Sequence, residues 1–329
     1  VKIIRDSDAE RIEASVCTTG AFDGVHVGHQ AVINEVKRRA EARGVASAVV
    51  TFDVHPALVV RPESAPNLLT RLDRKLELLE GLGVDAVYII EFDTERATTT
   101  AAQFVEQVFV DRLGAVEILV GSDFKFGKGR EGTVDFLAEA GKQYGFTVEG
   151  LELVLHDPDA TEHASSTAIR RALDGGDVEQ AGAMLGRPFE IWGEVTQGDQ
   201  RGRTIGFPTA NVVLPNDMAR PANGVYACKY VLPDGSTALA AVNVGVRPTF
   251  YEQADAAVLE AHLLDFPTST PELIDTDTVS GWEAGNLYGT EARVQFLHFL
   301  RSERRFNGID ELKTQLDDDI AVARERLTS

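Results

Sequence analysis

Two imidazoles three residues apart, His26 and His29, lie in the stretch Gly20-Ala-Phe-Asp-Gly-Val-His-Val-Gly-His-Gln30. A strand-like run, Ser15 to Thr19, precedes it. A helix-like run from Gln30 to Arg39 follows, in which Val32, Ile33, Val36 and then Ala40 recur at helical spacing. A strand, a glycine-containing turn and a helix start together make an anion site. Backbone N–H groups at a helix N-terminus are unpaired and point outward, and the helix dipole favours negative charge there. Imidazoles at such a place can donate hydrogen bonds to phosphate oxygens as charge builds up. A metal site fits poorly, because the neighbourhood offers no cysteine and only Asp23 as a third ligand.

Further segments could also handle phosphate. Thr51-Phe-Asp-Val-His-Pro56 ends a second strand-like run and puts His55 in a loop, where a histidine before proline is as often structural as functional. Gly127, Gly129 and Gly132 match the Gly-x-Gly-x-x-Gly spacing of dinucleotide sites. The first of them falls six residues beyond Gly121, where a strand ends, so it cannot form the tight strand-to-helix turn such sites require. Ser165-Ser-Thr-Ala-Ile-Arg-Arg171 offers small hydroxyls to cap a helix, with Arg170 in its first turn. In isolation it reads more simply as an ordinary cap and a solvated arginine. In Gly198-Asp-Gln-Arg-Gly-Arg-Thr-Ile-Gly-Phe-Pro-Thr-Ala-Asn211, Gly198, Gly202 and Gly206 allow close backbone approach to phosphates, and Arg201 and Arg203 add positive charge. Thr209 and Asn211 present oxygens that suit Mg²⁺, a hard cation. The Gly-Lys-Ser/Thr of a Walker A loop is missing.

The elements that must position these residues fall into two patterns. In the first half, strand-like runs at Ser15–Thr19, Val45–Phe52, Asp85–Phe92 and Glu117–Val120 alternate with helix-like runs. One helix covers Leu69–Leu82, with Leu72, Leu76 and Leu79 on a face, and another holds Phe104, Val105, Val108 and Phe109. This alternation predicts an α/β fold, an open Rossmann-like parallel sheet with ligands at the carboxyl ends of its strands. Beyond Leu185-Gly-Arg-Pro188 come short apolar runs punctuated by Gly, Pro and Asn: Glu190–Val195, Gly224–Leu232, Leu239–Val244, Val258–Leu264 and Ala292–Phe299. They predict an antiparallel β-barrel or sandwich, followed by a helix with Ile309, Leu312, Leu316, Ile320 and Leu327 in one stripe. The boundary is placed near residue 187, giving domains 1–186 and 187–329.

A chain of 329 residues is long enough for two such domains. The charge is −20, from 32 basic and 52 acidic residues, which disfavours nucleic-acid and membrane-surface binding. No apolar run is long enough to span a membrane, and Val1–Asp8 lacks the apolar core of a signal peptide. Cys17 and Cys228 form no Cys-x-x-Cys pair, so reduced thiols in a cytoplasmic protein are expected. The oligomeric state is open, and a homo-oligomer is compatible with the sequence.

Gly20 to His29 resembles the signature of the His-x-Gly-His nucleotidyltransferases. The flanking Phe-Asp-Gly-Val-His and Gln30 are similar to the bacterial bifunctional riboflavin kinase/FAD synthetases. The resemblance covers essentially the whole chain. It extends to Thr-Phe-x-x-His-Pro, although Asp53-Val54 replaces the family's Glu-Pro, and to Asp-Phe-x-Phe-Gly, Ser-Ser-Thr-x-x-Arg and Gly-Phe-Pro-Thr-Ala-Asn. Pro221–Tyr226, Val242–Thr249 and Val258–Phe266 match the barrel segments in family order.

The resemblance implies ATP-dependent phosphorylation of riboflavin to FMN, then transfer of AMP from a second ATP to FMN, giving FAD and pyrophosphate. It implies catalytic roles for His26, His29, Arg170 and Glu260, the last as base toward the riboflavin hydroxyl. It implies phosphate or nucleotide contacts at Gly20, Phe22, Asp23, Gly28, Ser166, Thr167, Gly202, Arg203 and Gly206. Flavin contacts would fall on His55, Asp123, Phe124, Phe126, Arg301 and Phe306, and Mg²⁺ on Thr209 and Asn211. Asn286 stands where the family has Asp, and the Pro267–Gly285 connection is longer than usual. Two other readings are an FAD synthetase with a degenerate kinase domain and a non-catalytic flavin-binding regulator. The joint presence of Thr209, Asn211 and Glu260 argues against the first, and intact His26, His29 and Glu260 against the second.

Overall fold

The computed structural model describes the chain except residues 153–162, 198–201, 203–204, 247–256, 267–286 and 329. Arg203, Asn286 and the 267–285 connection thus lie outside the described residues. Contacts divide the chain into two compact units, Val1–Ser166 and Thr167–Ser329.

In the first unit, β1 (Lys2–Arg5), β2 (Ser15–Thr19), β3 (Ala46–Phe52), β4 (Ala86–Ile90), β5 (Ala115–Gly121) and β6 (Thr147–Leu151) form one parallel sheet. Their order is β1-β4-β3-β2-β5-β6. The inner strands are apolar on both faces because helices cover both. Along β3, Ala48 and Val50 join a core with Cys17, Tyr88, Ile118 and Phe104, whereas Val49 packs with Val87, Ile89, Ile33 and Leu79 on the other side. Side chains one residue apart therefore serve opposite faces. The chain runs from β2 through β3 to β4 in one direction, then returns to place β5 on the other side of β2. The carboxyl end of β2 is the switch point at which open α/β sheets bind ligands.

Helix α1 (Val27–Arg43) leaves that point and begins before the Gln30 start expected from apolar spacing. The His26 side chain caps it, Nδ1 accepting the His29 N–H at 3.3 Å. Gly28 and His29 therefore belong to the first helical turn. Arg39 ties α1 to the sheet, bonding Glu117 on β5 at 2.6 Å and Glu149 on β6 at 2.7 Å. The other first-unit helices are α2 (Pro56–Val60), α3 (Leu72–Gly81), α4 (Ala101–Phe104, continuing as a π-helix over Val105–Arg112) and α5 (Val134–Tyr144).

Helices α6 (Ser166–Asp174) and α7 (Val178–Leu185) lead into the second unit. There β7 (Phe189–Thr196), β8 (Ala210–Val213), β9 (Gly224–Val231), β10 (Thr237–Val246), β11 (Ala257–Leu263) and β12 (Glu291–Arg301) close an antiparallel barrel in the order β10-β11-β8-β7-β12-β9. Helix α8 (Ile309–Thr328) lies on it, with Ile320, Ala323 and Leu327 against Ala227, Ala241 and Leu300. The predicted parallel sheet, barrel and terminal helix are all present. Contacts group residues from Thr167 onward with the barrel, since α7 packs on β7 and β12 and the Ala222 N–H donates to the Leu173 carbonyl at 2.8 Å. The boundary near 187 follows the change of sequence pattern instead.

Candidate active sites

The loop from β2 to α1 is tightly wound. Phe22, Gly24 and Val25 have φ of 49°, 85° and 41°. A β-branched residue with positive φ is strained, and surrounding structure must hold it there. Burial of Phe22 and Val25 in the core does so, helped by the Gln30 side-chain amide donating to the Val25 carbonyl at 2.9 Å. The loop ends at His26, which is buried. Because Nδ1 accepts the capping bond, the neutral ring carries its proton on Nε2.

The His29 ring stacks on His26 with centroids 3.6 Å apart and meets the Phe22 edge at 5.1 Å. Its Nδ1 is buried and finds no hydrogen-bond partner among the described residues. Burial, then the neighbouring His26 and Lys75, hold the His29 pKa well below the ordinary imidazole value. His29 is therefore neutral near pH 7, a hydrogen-bond donor rather than a cation. A Cβ on Gly28 would come within 3.2 Å of the His26 ring, so glycine leaves room for the stack.

Asp23, expected at phosphate, is buried, and its Oδ1 accepts the Leu69 and Thr70 N–H groups at 2.9 and 3.1 Å. Ser166 is brought to the same loop, its hydroxyl donating to the Asp23 carbonyl at 2.8 Å. Thr167, exposed, and Arg170, half-buried, follow on α6, with Arg170 in the second turn rather than the first. His55 caps α2, Nδ1 accepting the Ala57 N–H at 3.1 Å. The departure at Asp53 is used locally, its Oδ1 accepting the Phe92 N–H at 2.9 Å. Phe126 lies in the core beside Phe104, and the half-buried Phe124 stacks on it at 5.4 Å, while Asp123 is exposed. Gly132 pairs with Phe126 as an isolated bridge and Gly127 leads only into a short 3₁₀ turn over Lys128–Arg130, so the glycines here close a loop rather than open the long helix of a dinucleotide site.

In the barrel, Gly202, Thr209, Asn211, Glu260, Arg301 and Phe306 line one cavity of about 430 Å³. Strand register sets the chemistry: Glu260 on β11 pairs with Asn211 on β8 and with Asn243 on β10. Gly202 is fixed by close approach, since a Cβ there would lie 2.3 Å from the Phe207 carbonyl oxygen. Gly206, with φ of 95°, completes that turn. Arg301 forms a bidentate pair with the buried Asp319 of α8, at 2.8 and 2.7 Å, and its guanidinium carbon lies 5.9 Å from the centre of the Phe306 ring. Among the described residues no three His, Cys, Asp or Glu cluster closely enough to hold a metal ion. Thr209 and Asn211 nevertheless share the cavity with Glu260, and their neutral oxygens fit a cation brought mainly by nucleotide phosphates.

Sequence reasoning missed two residues. His262, two positions past Glu260 on the same strand face, bonds through Nδ1 to the Pro208 carbonyl at 2.8 Å and so steadies the segment entering Thr209. Lys75 is buried next to the His26 loop. Its signal was present: a lysine interrupts the apolar stripe Leu72, Leu76 and Leu79 at helical spacing.

A family model described as FAD synthetase matches residues 8–168, and one described as riboflavin kinase matches 185–327. The bifunctional riboflavin kinase/FMN adenylyltransferase of Pseudomonas fluorescens is 40% identical over 94% of this chain and 92% of its own. That of Bacillus subtilis is 38% identical over 93% and 90%. A crystal structure named as a macrolide-efflux protein from Streptococcus pneumoniae superposes with a TM-score of 0.81 at 29% identity, covering 98% of this chain and 99% of that one. No described helix of the present chain is long and apolar enough to cross a membrane. By its two matched models, and by relatives that align along nearly its whole length, the chain belongs to the bifunctional riboflavin kinase/FMN adenylyltransferase family.

Proposed function

We propose that the protein converts riboflavin to FMN in the barrel and FMN to FAD at the β2 switch point, using ATP both times. One observation carries the reading: each unit gathers its own signature residues at one place, the stacked His26 and His29 in the first and Glu260 beside Asn211 in the second. We assign adenylyl transfer to residues 1–186 and phosphorylation to 187–329. A cytoplasmic setting agrees with two buried, free thiols.

An FMN phosphate oxygen is already anionic, so its attack on the α-phosphate of ATP needs no base. What the protein supplies is orientation and charge stabilisation. The His26 Nε2–H and the neutral His29 ring donate to the α-phosphate as the bond to pyrophosphate breaks, while the Ser166 hydroxyl, its proton directed at the Asp23 carbonyl, braces the loop. The phosphate roles of Thr167 and Arg170 rest on the family resemblance. In the barrel, Glu260 takes the proton of the riboflavin 5′-hydroxyl as its oxygen attacks the γ-phosphate, releasing ADP. Mg²⁺, when bound with ATP, neutralises phosphate charge, and Thr209 and Asn211 are the residues that would hold it.

Incubation with riboflavin, ATP and Mg²⁺, followed by chromatography, should show FMN and then FAD. FMN without FAD, or FAD only from added FMN, overturns the bifunctional reading. The Arg301–Asp319 pair gives a second expectation. Asp319→Ala should raise the KM for riboflavin several-fold and lower stability by about 1–3 kcal/mol, because a buried charge-assisted pair is broken. Steady-state kinetics and thermal unfolding measure both.

A further inference from the structure

We propose that Lys75 is a positioning residue for adenylyl transfer, clamping the loop that leads to His26 and His29 onto the end of β3, where the His55 loop departs. This rests on assigning that reaction to residues 1–186.

Lys75 extends from α3 and is 7% exposed. Its Nζ donates to the Ala21 carbonyl at 3.2 Å, the Thr51 hydroxyl at 3.0 Å and the Phe52 carbonyl at 2.9 Å. The Thr51 hydroxyl spends its own proton on the Ala21 carbonyl at 3.3 Å, so it can only accept from the lysine. Three acceptors meet the three N–H bonds of an ammonium, and a neutral amine would leave one unmet. Ala21 directly precedes the positive-φ residues Phe22 to Val25, whose end sets the His26 cap. Without the ammonium, the Ala21 carbonyl keeps only the longer bond from the Thr51 hydroxyl and is no longer tied to the Phe52 carbonyl through a shared donor, which loosens the turn that aims both imidazoles.

A methionine would fill the apolar stripe without taking a charge out of water, but would leave these acceptors without their donor, so the two effects on fold stability oppose each other. The charged groups facing Lys75 are Asp23 from the loop and Asp53 beyond β3, with His29 of α1 also within its field. Burial outweighs the two carboxylates and brings the Lys75 pKa down to about 8. The ammonium therefore titrates within the range of an ordinary assay. Between about pH 8 and its ordinary value of 10.5, the unfolded chain binds a proton that the folded protein has lost. This group thus makes the fold more stable as pH rises, while the clamp weakens.

The test uses the full chain as wild type, Lys75→Met and Lys75→Arg. It measures FMN adenylylation, riboflavin phosphorylation and thermal unfolding from pH 6.5 to 9.5. Lys75→Met should lower the adenylylation kcat about 10–100-fold, the scale of a small misalignment, with KM values little changed and phosphorylation at the wild-type rate. Wild-type adenylylation should fall above about pH 8 without loss of thermal stability, and Lys75→Arg, which stays charged, should lack that alkaline limb. A Lys75→Met kcat within twofold of wild type overturns the proposal. So does an alkaline limb that persists in Lys75→Arg, or a loss that affects both activities and tracks the melting temperature. Failure of wild type itself to make FAD from FMN sinks the underlying assignment instead.

Discussion

Glu260→Gln is expected to abolish most riboflavin phosphorylation while FMN adenylylation continues at its normal rate. The glutamine keeps the size and one acceptor oxygen of the glutamate, so the β11 register with Asn211 and Asn243 should survive. What it loses is the ability to take a proton. General bases contribute about 10²–10⁴-fold. Phosphoryl transfer has a loose transition state in which the nucleophile gives up its proton late, so the effect should lie toward the lower end, about 10²–10³ in kcat. The KM for ATP should change little, because Glu260 faces the acceptor rather than the nucleotide in this scheme. Adenylylation of added FMN by the same preparation reports on folding and concentration. A Glu260→Gln kinase rate within a few-fold of wild type would remove Glu260 from the role of base.

The strands that position both sites were legible because they are buried on the faces that sequence patterns report. Ser15–Thr19 and Ala86–Ile90 are buried at every position and read as continuous apolar or small-residue runs. The edge strands were not legible. Lys2–Arg5 buries only Ile4, and Thr147–Leu151 has no fully buried residue, so neither carries an apolar signature. Ala210–Val213 was hidden for a different reason, being four residues at the end of a glycine- and proline-rich motif. The site residues divide in the same way. His26, His29, Thr209, Asn211 and Glu260 announce themselves by type and spacing, but what each does locally depends on geometry that spacing does not contain. Asp23 holds backbone N–H groups 46 and 47 residues away. The capping role of His26, which fixes its tautomer, depends on where α1 starts, and apolar spacing placed that start three residues late. The His motif also works within a chain of charge −20, so cations near the phosphates must act locally against the overall field.

His29→Ala should cut FAD formation by about 10²–10³ in kcat and leave riboflavin phosphorylation intact, the scale set by losing one preorganised donor to a developing oxyanion. The loss should be mainly electrostatic, because the cap of α1 uses the His29 backbone N–H, which alanine retains. His26→Ala should differ in a diagnostic way. It removes a donor of the same kind and also the side-chain acceptor that caps the helix, so about 1 kcal/mol of stability should go with the rate. Comparing the melting temperatures of the two variants separates donation from capping. The charge state gives an independent check. With its pKa held well below the ordinary imidazole value by burial, His26 and Lys75, the His29 ring should remain neutral on titration by nitrogen-15 NMR from pH 8 down through the ordinary imidazole range near 6.5. Two stacked rings 3.6 Å apart would repel if both were cations, and a neutral His29 lets that repulsion be avoided until phosphate arrives. A His29 signal that titrates near 6.5, together with a His29→Ala rate near wild type, would mean that the stack is packing rather than catalytic machinery.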